Sequence, residues 1–175
     1  LFGMAMAGFL TGAREGVVYI RAEYPEAITI TEKCAEAFNA LFPFTRSDGE
    51  TVQYKLYIMK ARGAYICGEE TALLSSIEGL RPEVRTRPPF PVYSGLYGKP
   101  TVVSNVETLA NLYAITTGGG VAFKAIGTGK SSGTKLLSLD SHFNNPGLYE
   151  AAMGTPLDEV LYGLGGGFRK PVKAL

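Results

Sequence analysis

Hydrophobic and polar positions follow helical and strand-like periods in turn along this chain. The apolar opening, "LFGMAMAGFLTGA", predicts a buried helix that ends at Gly12, and "GVVYIRAEY" predicts a buried strand. The next predicted helix, "TEKCAEAFNALF", has Thr31 in its N-cap position. Its apolar face consists of Cys34, Ala37, Phe38 and Leu41.

Apolar and largely polar residues alternate in the segment "TVQYKLYIM". The residues on its apolar side are Val52, Tyr54, Leu56 and Ile58. The other side is predicted to be exposed, as at the edge of a sheet or in one arm of a hairpin. Strand, helix and strand in this order predict a βαβ-like unit and therefore an α/β fold.

Two adjacent carboxylates, Glu69 and Glu70, stand in the stretch "GAYICGEETALLSSIEG" between a short apolar segment and a helix. "AYIC" predicts the end of a buried strand, Gly68 a turn, and Gly79 the end of the helix. Such a junction presents free N–H groups to an electron-rich ligand, although the sequence has neither a P-loop nor a dinucleotide fingerprint. The carboxylates either contact a ligand or only complement the helix dipole.

A long loop at 81–100 combines prolines with basic and aromatic residues. These residues are Arg81, Arg85, Arg87 and Lys99 among Phe90, Tyr93 and Tyr97. Loops of this length are usually functional, and cations beside aromatic rings suit a nucleotide, whose base stacks while its phosphates are neutralised. The alternative is a proline-rich segment that packs on the domain surface.

A capping box, "SNVE", with Ser104 as the cap and Glu107 as its partner, predicts the next helix, which "GGG" at 118–120 ends. The apolar stripe of this helix consists of Val106, Leu109, Ala110 and Tyr113. The glycine- and serine-rich segment 127–133 then predicts a linker, so that residues 1–126 form the α/β domain.

Beyond the linker, "TKLLSLD", "FNNPG" and "LYEAA" predict a strand, a turn and a second strand. Thr155 is predicted to cap a short helix with Pro156 at its first position. Strand, turn, strand and helix over 134–175 predict the start of a β-grasp-like module.

Composition and charge exclude several classes of function. The chain has 46% hydrophobic and 19% charged residues and a formal net charge of +1, which gives no bulk electrostatic reason to bind nucleic acid. Cys34, Cys67 and the single His142 form no metal motif, and a reducing compartment is predicted. The opening apolar run is shorter than the roughly 20 residues of a membrane span, so no direct membrane insertion is expected. Because position 1 is Leu, we expect a fragment of a longer polypeptide.

Residues 63–112, from "GAYICGEETALLSSIEG" to "VSNVETLANL", closely resemble the NADH- and FMN-binding flavoprotein subunit of respiratory complex I. This family also occurs in NAD-linked hydrogenases and NAD-linked formate dehydrogenases. "YIRAEYP" upstream and "NPGLYEAAMGTPLDEV" downstream resemble the family in the same order. The resemblance implies a Rossmann-like flavin domain, then a ubiquitin-like β-grasp domain, then a helical domain with a [4Fe–4S] cluster whose ligands lie outside this chain.

The resemblance also implies the function of an FMN-dependent NADH dehydrogenase (diaphorase) subunit. Hydride passes between NAD(H) and FMN, and electrons then pass to iron–sulfur clusters in partner subunits. The implied site places Tyr65 and Glu70 at the nicotinamide half of NADH, Gly68 and Glu69 along the flavin, Arg87 and Phe90 at the adenosine end, and Val103, Ser104 and Asn105 in the FMN pocket. No residue of this chain is assigned as a catalytic group or a metal ligand.

Three further expectations concern one flavin contact, the location of the protein and an alternative function. Ser104 stands where family members commonly have Asn, which weakens one flavin contact. A cytoplasmic location is expected, peripheral to the membrane through a larger complex. The alternative function is a non-catalytic interaction module that keeps the fold and docks partner subunits without a cofactor.

Overall fold

A computed structural model describes residues 1–61 and 64–173 of the chain, so Gly63, which opens the carboxylate-bearing stretch, lies outside the described residues. The helices and strands are α1 (Phe2–Thr11), β1 (Glu15–Arg21), α2 (Pro25–Asn39), β2 (Phe44–Thr45), β3 (Thr51–Val52), β4 (Lys55–Ala61), α3 (Glu70–Ile77), α4 (Val106–Gly118), α5 (Gly120–Lys124), β5 (Thr134–Leu139) and β6 (Gly147–Ala152). Short 3-10 helices occupy Tyr65–Gly68 and Leu96–Gly98, and a π-helix occupies Glu159–Leu164.

Within the described residues, two compact units divide between Tyr113 and Ala114. The segment 127–133 lies inside the second unit rather than at this division. Its ends are joined by an antiparallel bridge between Gly127 and Ser132, and backbone hydrogen bonding of this kind explains why the segment forms a turn. The division into residues 1–126, a linker and residues 134–175 remains a prediction about functional domains.

The first unit is built on a parallel strand pair, β1 and β4, which α2 connects. In β4 and the residue before it, Tyr54 and Leu56 are buried whereas Lys55 and Tyr57 are exposed. The predicted alternation and the βαβ unit are therefore confirmed. The pattern misses one detail: the segment is interrupted after Val52, because β2 and β3 form a small antiparallel hairpin of their own.

A small apolar core fills the space between α1, α2 and β4. Its buried members are Ala35, Tyr54 and Leu56, with Leu1, Met4, Ala5, Phe38, Phe42 and Ile58 packed around them. Helix α1 ends as predicted at Gly12, whose φ is 77°. Gly3 touches α4 so closely that an added Cβ would lie 1.8 Å from the Leu109 carbonyl oxygen. A glycine at this position is therefore what allows α1 to approach α4.

Two predictions about α2 are wrong. The helix begins at Pro25, because proline at the first position needs no N–H partner, and Thr31 lies inside it with its hydroxyl donating to the Ala27 carbonyl at 2.6 Å. The buried face carries Ile28 and Ala35. Of the predicted apolar face, Cys34, Ala37 and Leu41 are exposed and Phe38 is half-buried.

Helix α4 ends at Gly118 as predicted, and α5 follows it after Gly119, which the pattern does not predict. The predicted apolar stripe is largely wrong, because Val106, Ala110 and Tyr113 are exposed. The Tyr113 ring nevertheless meets the Phe2 ring edge-on, with centroids 5.5 Å apart.

In the second unit, β5 and β6 pair in antiparallel register, which confirms the predicted strand, turn and strand. Thr155 precedes the following helix, but its hydroxyl donates to the Ala152 carbonyl at 2.8 Å and so does not cap the helix as predicted. The rings of Phe143 and Phe168 pack with centroids 4.6 Å apart beside the π-helix.

Across residues 1–61 and 64–173, no helix has the length and apolarity that a membrane crossing requires.

Candidate functional site

The chain enters α3 through a 3-10 helix, not through the predicted strand end. The N–H of Cys67 donates to the Ala64 carbonyl and that of Glu69 to the Ile66 carbonyl, both at 3.0 Å. These local bonds leave no edge for strand pairing. Cys67 is buried, as predicted, whereas the Tyr65 side chain is 95% exposed.

Glu69 is the N-cap of α3. Its Oε2 accepts hydrogen bonds from the N–H groups of Thr71 and Ala72, both at 2.9 Å, and from the Thr71 hydroxyl at 2.5 Å. Partial burial raises the pKa of Glu69, but these hydrogen bonds and the charge of Arg87 outweigh it and hold the pKa below its ordinary value. Because Glu69 satisfies these N–H groups itself, the junction does not present them to a phosphate.

Arg87 joins the two carboxylates that the sequence singles out. Its Nη2 is bonded to Glu69 Oε1, and its Nη1 lies 2.8 Å from Glu70 Oε1. The second oxygen of Glu70 has no partner among the described residues, and this side chain is 34% exposed. Two carboxylates and one guanidinium leave a net charge of −1 on the cluster, so it offers a hydrogen-bond acceptor to solvent.

A second arginine cluster lies along the same helix, and sequence reasoning misses it. Arg85 donates through Nε to Ser75 Oγ at 3.0 Å and through Nη2 to Glu78 Oε2 at 2.6 Å. The other oxygen of Glu78 accepts from the Tyr97 N–H at 2.7 Å. Two polar residues four apart, Thr71 and Ser75, on the same face as the buried Ala72 and Leu74 of this helix are the signal that indicates such a cluster.

The loop at 81–100 is anchored at some positions and exposes rings at others. Pro91 and Gly95 are buried, whereas Phe90 is 49% and Tyr93 77% exposed. Tyr97, with φ of 50°, is also exposed. The loop therefore combines both alternatives: part of it packs on the unit, and its aromatic rings face solvent where a base can stack.

Val103, Ser104 and Asn105 directly precede α4. The cap of this helix is Asn105 and not Ser104, because the helix begins at Val106 and Asn105 Oδ1 accepts from the Glu107 N–H at 2.8 Å. Val103 is half-buried, and both polar residues before the helix are exposed. Among the described residues, no hydrogen bond or salt bridge joins these three residues to the Arg87 cluster.

The structure thus joins three of the sequence-predicted site residues, Glu69, Glu70 and Arg87, into one cluster. The resemblance assigns Arg87 to the adenosine end and Glu70 to the nicotinamide half, but their side chains lie 2.8 Å apart. Both assignments remain predictions. In the part of the chain that the structure describes, no group of three or more His, Cys, Asp or Glu residues is arranged to hold a metal ion.

Comparison with known proteins bears on this arrangement. Residues 1–114 match the family model described as the Nuo51 FMN-binding domain. The chain is 45% identical over 167 residues to the NADP-reducing hydrogenase subunit HndC of Solidesulfovibrio fructosivorans, which covers 94% of this chain and 34% of that protein. It is 41% identical over 172 residues to a subunit of the NADH-quinone oxidoreductase of Escherichia coli (strain K12), which covers 98% of this chain and 39% of that protein.

A solved structure, the NAD+-reducing [NiFe]-hydrogenase in the H2-reduced state, is similar to 90% of this chain with a TM-score of 0.81 and 39% identity, and the match covers 26% of that chain. The mixed α/β fold is therefore similar to that of the hydrogenase chain. The present chain spans only 34% and 39% of the lengths of the two curated relatives described above.

Proposed function

The chain belongs to the Nuo51 FMN-binding domain family, and from this premise we propose that it is part of an FMN-dependent NADH dehydrogenase (diaphorase) subunit. Residues 1–126 form the Rossmann-like FMN- and NADH-binding domain, residues 127–133 a linker, and residues 134–175 the start of a β-grasp domain. In the full-length protein a [4Fe–4S] cluster and iron–sulfur partner subunits receive the electrons. The subunit acts in a complex that is peripheral to the membrane. The names of the relatives, a hydrogenase subunit and a quinone oxidoreductase subunit, support a redox role.

One observation carries the proposal: the Arg87-bridged carboxylate pair with one open oxygen on Glu70. A carboxylate accepts hydrogen bonds from ribose hydroxyls and from a carboxamide N–H, both of which the nicotinamide half of NADH supplies. The net charge of −1 opposes a phosphate at the same place. Glu70 therefore binds the nicotinamide half, while Glu69, whose oxygens are already used, keeps Arg87 in position.

The flavin side of the proposal rests on two features of the described residues. An added Cβ at Gly68 would meet nothing within 4 Å, so the space beside this backbone is open to a flat ring. Ser104 and Asn105 expose a hydroxyl and an amide before α4, which suits the polar edge of FMN, with Val103 beside them. When bound, FMN supplies the group that accepts a hydride and releases electrons one at a time.

The adenosine end is proposed to lie against the loop. Phe90 is half exposed and stands three residues after Arg87, so its ring is available to stack on adenine. Tyr65, which is almost fully exposed beside the carboxylates, lines the nicotinamide side. Because Arg87 is bonded to both carboxylates, nucleotide binding either retains these salt bridges or exchanges the one to Glu70 for a contact with the ligand.

The test replaces Glu70 with Gln in the full-length protein. Glu70→Gln keeps the shape of the side chain but removes its charge, and charge-assisted hydrogen bonds are worth about 1.5–3 kcal/mol, so NADH affinity should fall by roughly tenfold or more. Affinity is read by titrating the flavin spectrum with nucleotide.

The matched control is Glu83→Gln, which should leave affinity unchanged, because the exposed Glu83 side chain forms a surface salt bridge with the exposed Arg81 on the same loop. Equal NADH affinity in Glu70→Gln and wild type would leave Glu70 as a partner of the helix dipole only. A full-length protein that folds without retaining FMN would instead favour the interaction module.

A further inference from the structure

The Thr71 hydroxyl is a buried group that two different parts of the site share. It donates to Glu69 Oε2 at 2.5 Å and accepts from the backbone N–H of Arg85 at 2.9 Å. Thr71 is 2% exposed, so water cannot replace either bond. One buried oxygen therefore connects the Glu69 carboxylate, the N-cap of α3, to the loop that carries Arg87.

Further hydrogen bonds fix the loop at Arg85 and after it. The Arg85 side chain is bonded to Ser75 and Glu78, and Glu78 also accepts from the Tyr97 N–H. Arg87 follows only two residues after Arg85, so its backbone position is set by these bonds. Its guanidinium is in turn held by Glu69, which the Thr71 hydroxyl orients.

We infer that Thr71 is a positioning residue for nucleotide binding, which acts by orienting the Glu69 carboxylate and the Arg85 backbone and thereby Arg87. The inference rests on the proposed function, since it specifies how the nucleotide-binding cluster is held. A site whose groups are already fixed loses less conformational freedom when the ligand binds, so its affinity is higher. A valine of the same shape at position 71 would leave a carboxylate oxygen and a buried N–H without this partner.

The experiment compares Thr71→Val with Thr71→Ser in the full-length, FMN-containing protein. Binding of NAD+ is measured by calorimetry, which does not depend on turnover. We expect Thr71→Val to raise the Kd for NAD+ by about tenfold, as loss of a charge-assisted hydrogen bond does, and Thr71→Ser to stay within about twofold of wild type. In steady-state assays Thr71→Val should raise the KM for NADH and leave kcat nearly unchanged, because the group that is lost contacts no reacting atom.

A second readout is hydrogen exchange of residues 84–99 in the absence of nucleotide. This segment should exchange faster in Thr71→Val, whereas Thr71→Ser should match wild type. A wild-type Kd in Thr71→Val, or a Thr71→Ser variant as weak as Thr71→Val, would overturn the inference. If Thr71→Val does not fold, Glu78→Gln replaces it: this change weakens the other anchor of the loop and should speed exchange and raise the Kd about threefold. Unchanged exchange and Kd in Glu78→Gln would also overturn the inference.

The two proposals fail in different ways. A wild-type protein that neither retains FMN nor binds NAD+ would overturn the proposed function and this inference with it. A wild-type protein that binds NAD+ with the same Kd as Thr71→Val would leave the proposed function intact and remove only the positioning role.

Discussion

The two ends of α3 carry the same chemical pair, an arginine on a glutamate, but only one of them is complete. At the C-terminal end both oxygens of Glu78 are used, and its side chain is 12% exposed. At the N-terminal end Glu70 keeps one oxygen without a partner among the described residues, and its side chain is more exposed. Arg85 and Arg87 are separated by a single residue, yet they belong to these two different environments.

The difference separates a structural ion pair from the proposed binding site. A partly buried pair whose carboxylate oxygens are both occupied has no acceptor left for a ligand, and it fixes the backbone around it. A partly exposed carboxylate that a guanidinium already orients has an oxygen left to accept a new hydrogen bond. The C-terminal pair therefore anchors the loop, and the N-terminal pair presents the acceptor.

The largest expected effect is a loss of stability when a substitution breaks the complete pair of Arg85 and Glu78. Arg85→Gln leaves Glu78 and Ser75 without their charged donor, and an unsatisfied, mostly buried group costs about 2–3 kcal/mol. The melting temperature of this domain in the full-length protein should fall by roughly 5–10 °C.

The control for Arg85→Gln is Arg81→Gln. Arg81 is 87% exposed and pairs with the exposed Glu83 at 3.2 Å, so its loss should change stability by less than about 1 kcal/mol. A similar, small drop in both variants would mean that the complete pair does not stabilise the loop more than a surface pair does.

The same comparison explains what the sequence could predict. Burial of apolar side chains around β4 leaves an alternating pattern at Tyr54 and Leu56 that can be recognised without a structure. Helix ends are harder to predict from the sequence. Neighbouring residues such as Ser104 and Asn105 are equally good caps, and which of them caps the helix depends on where the backbone becomes helical.

The candidate site is harder still to predict. Glu69 and Glu70 stand out in the sequence, but their pairing with Arg87 depends on how a long loop returns to α3. Arg85 and Arg87 are alike in type and setting, so no local pattern shows which of them is anchored. The polar network of Thr71 is decided by tertiary packing, which the hydrophobic periodicity of α3 does not record.

A second prediction tests the exposed side of the loop. Phe90→Ala in the full-length protein should weaken NADH binding by about 1–3 kcal/mol through lost stacking on adenine, whereas FMN content should stay the same. Tyr93→Ala, which removes a more exposed ring from the same loop, should have a smaller effect. Affinity is measured by nucleotide titration and flavin content by absorbance after desalting. A Phe90→Ala variant that loses flavin but keeps its NADH affinity would reverse the assignment of the loop.

The smallest expected effect concerns the pH dependence at the N-terminal end of α3. Partial burial raises the pKa of Glu69, but hydrogen bonds from Thr71 and Ala72 and the charge of Arg87 hold it below the ordinary value of 4.5. A lowered folded-state pKa means that the ionised carboxylate stabilises the fold above pH 4.5, and that this contribution is lost as the pH falls through the lower folded-state pKa.

Glu69→Gln retains a capping oxygen but loses the charge, so it should cost about 0.5–1 kcal/mol at neutral pH, within the range of N-cap substitutions. Below pH 4.5, the ordinary value for this carboxyl, the difference should shrink as Glu69 becomes protonated in wild type. Melting temperatures of both proteins between pH 7 and pH 3 measure this, with Glu83→Gln as the control that should follow wild type throughout. A difference between Glu69→Gln and wild type that stays constant over this range would show that the charge of Glu69 does not contribute to the cap, and that only its shape holds Arg87 and the start of α3.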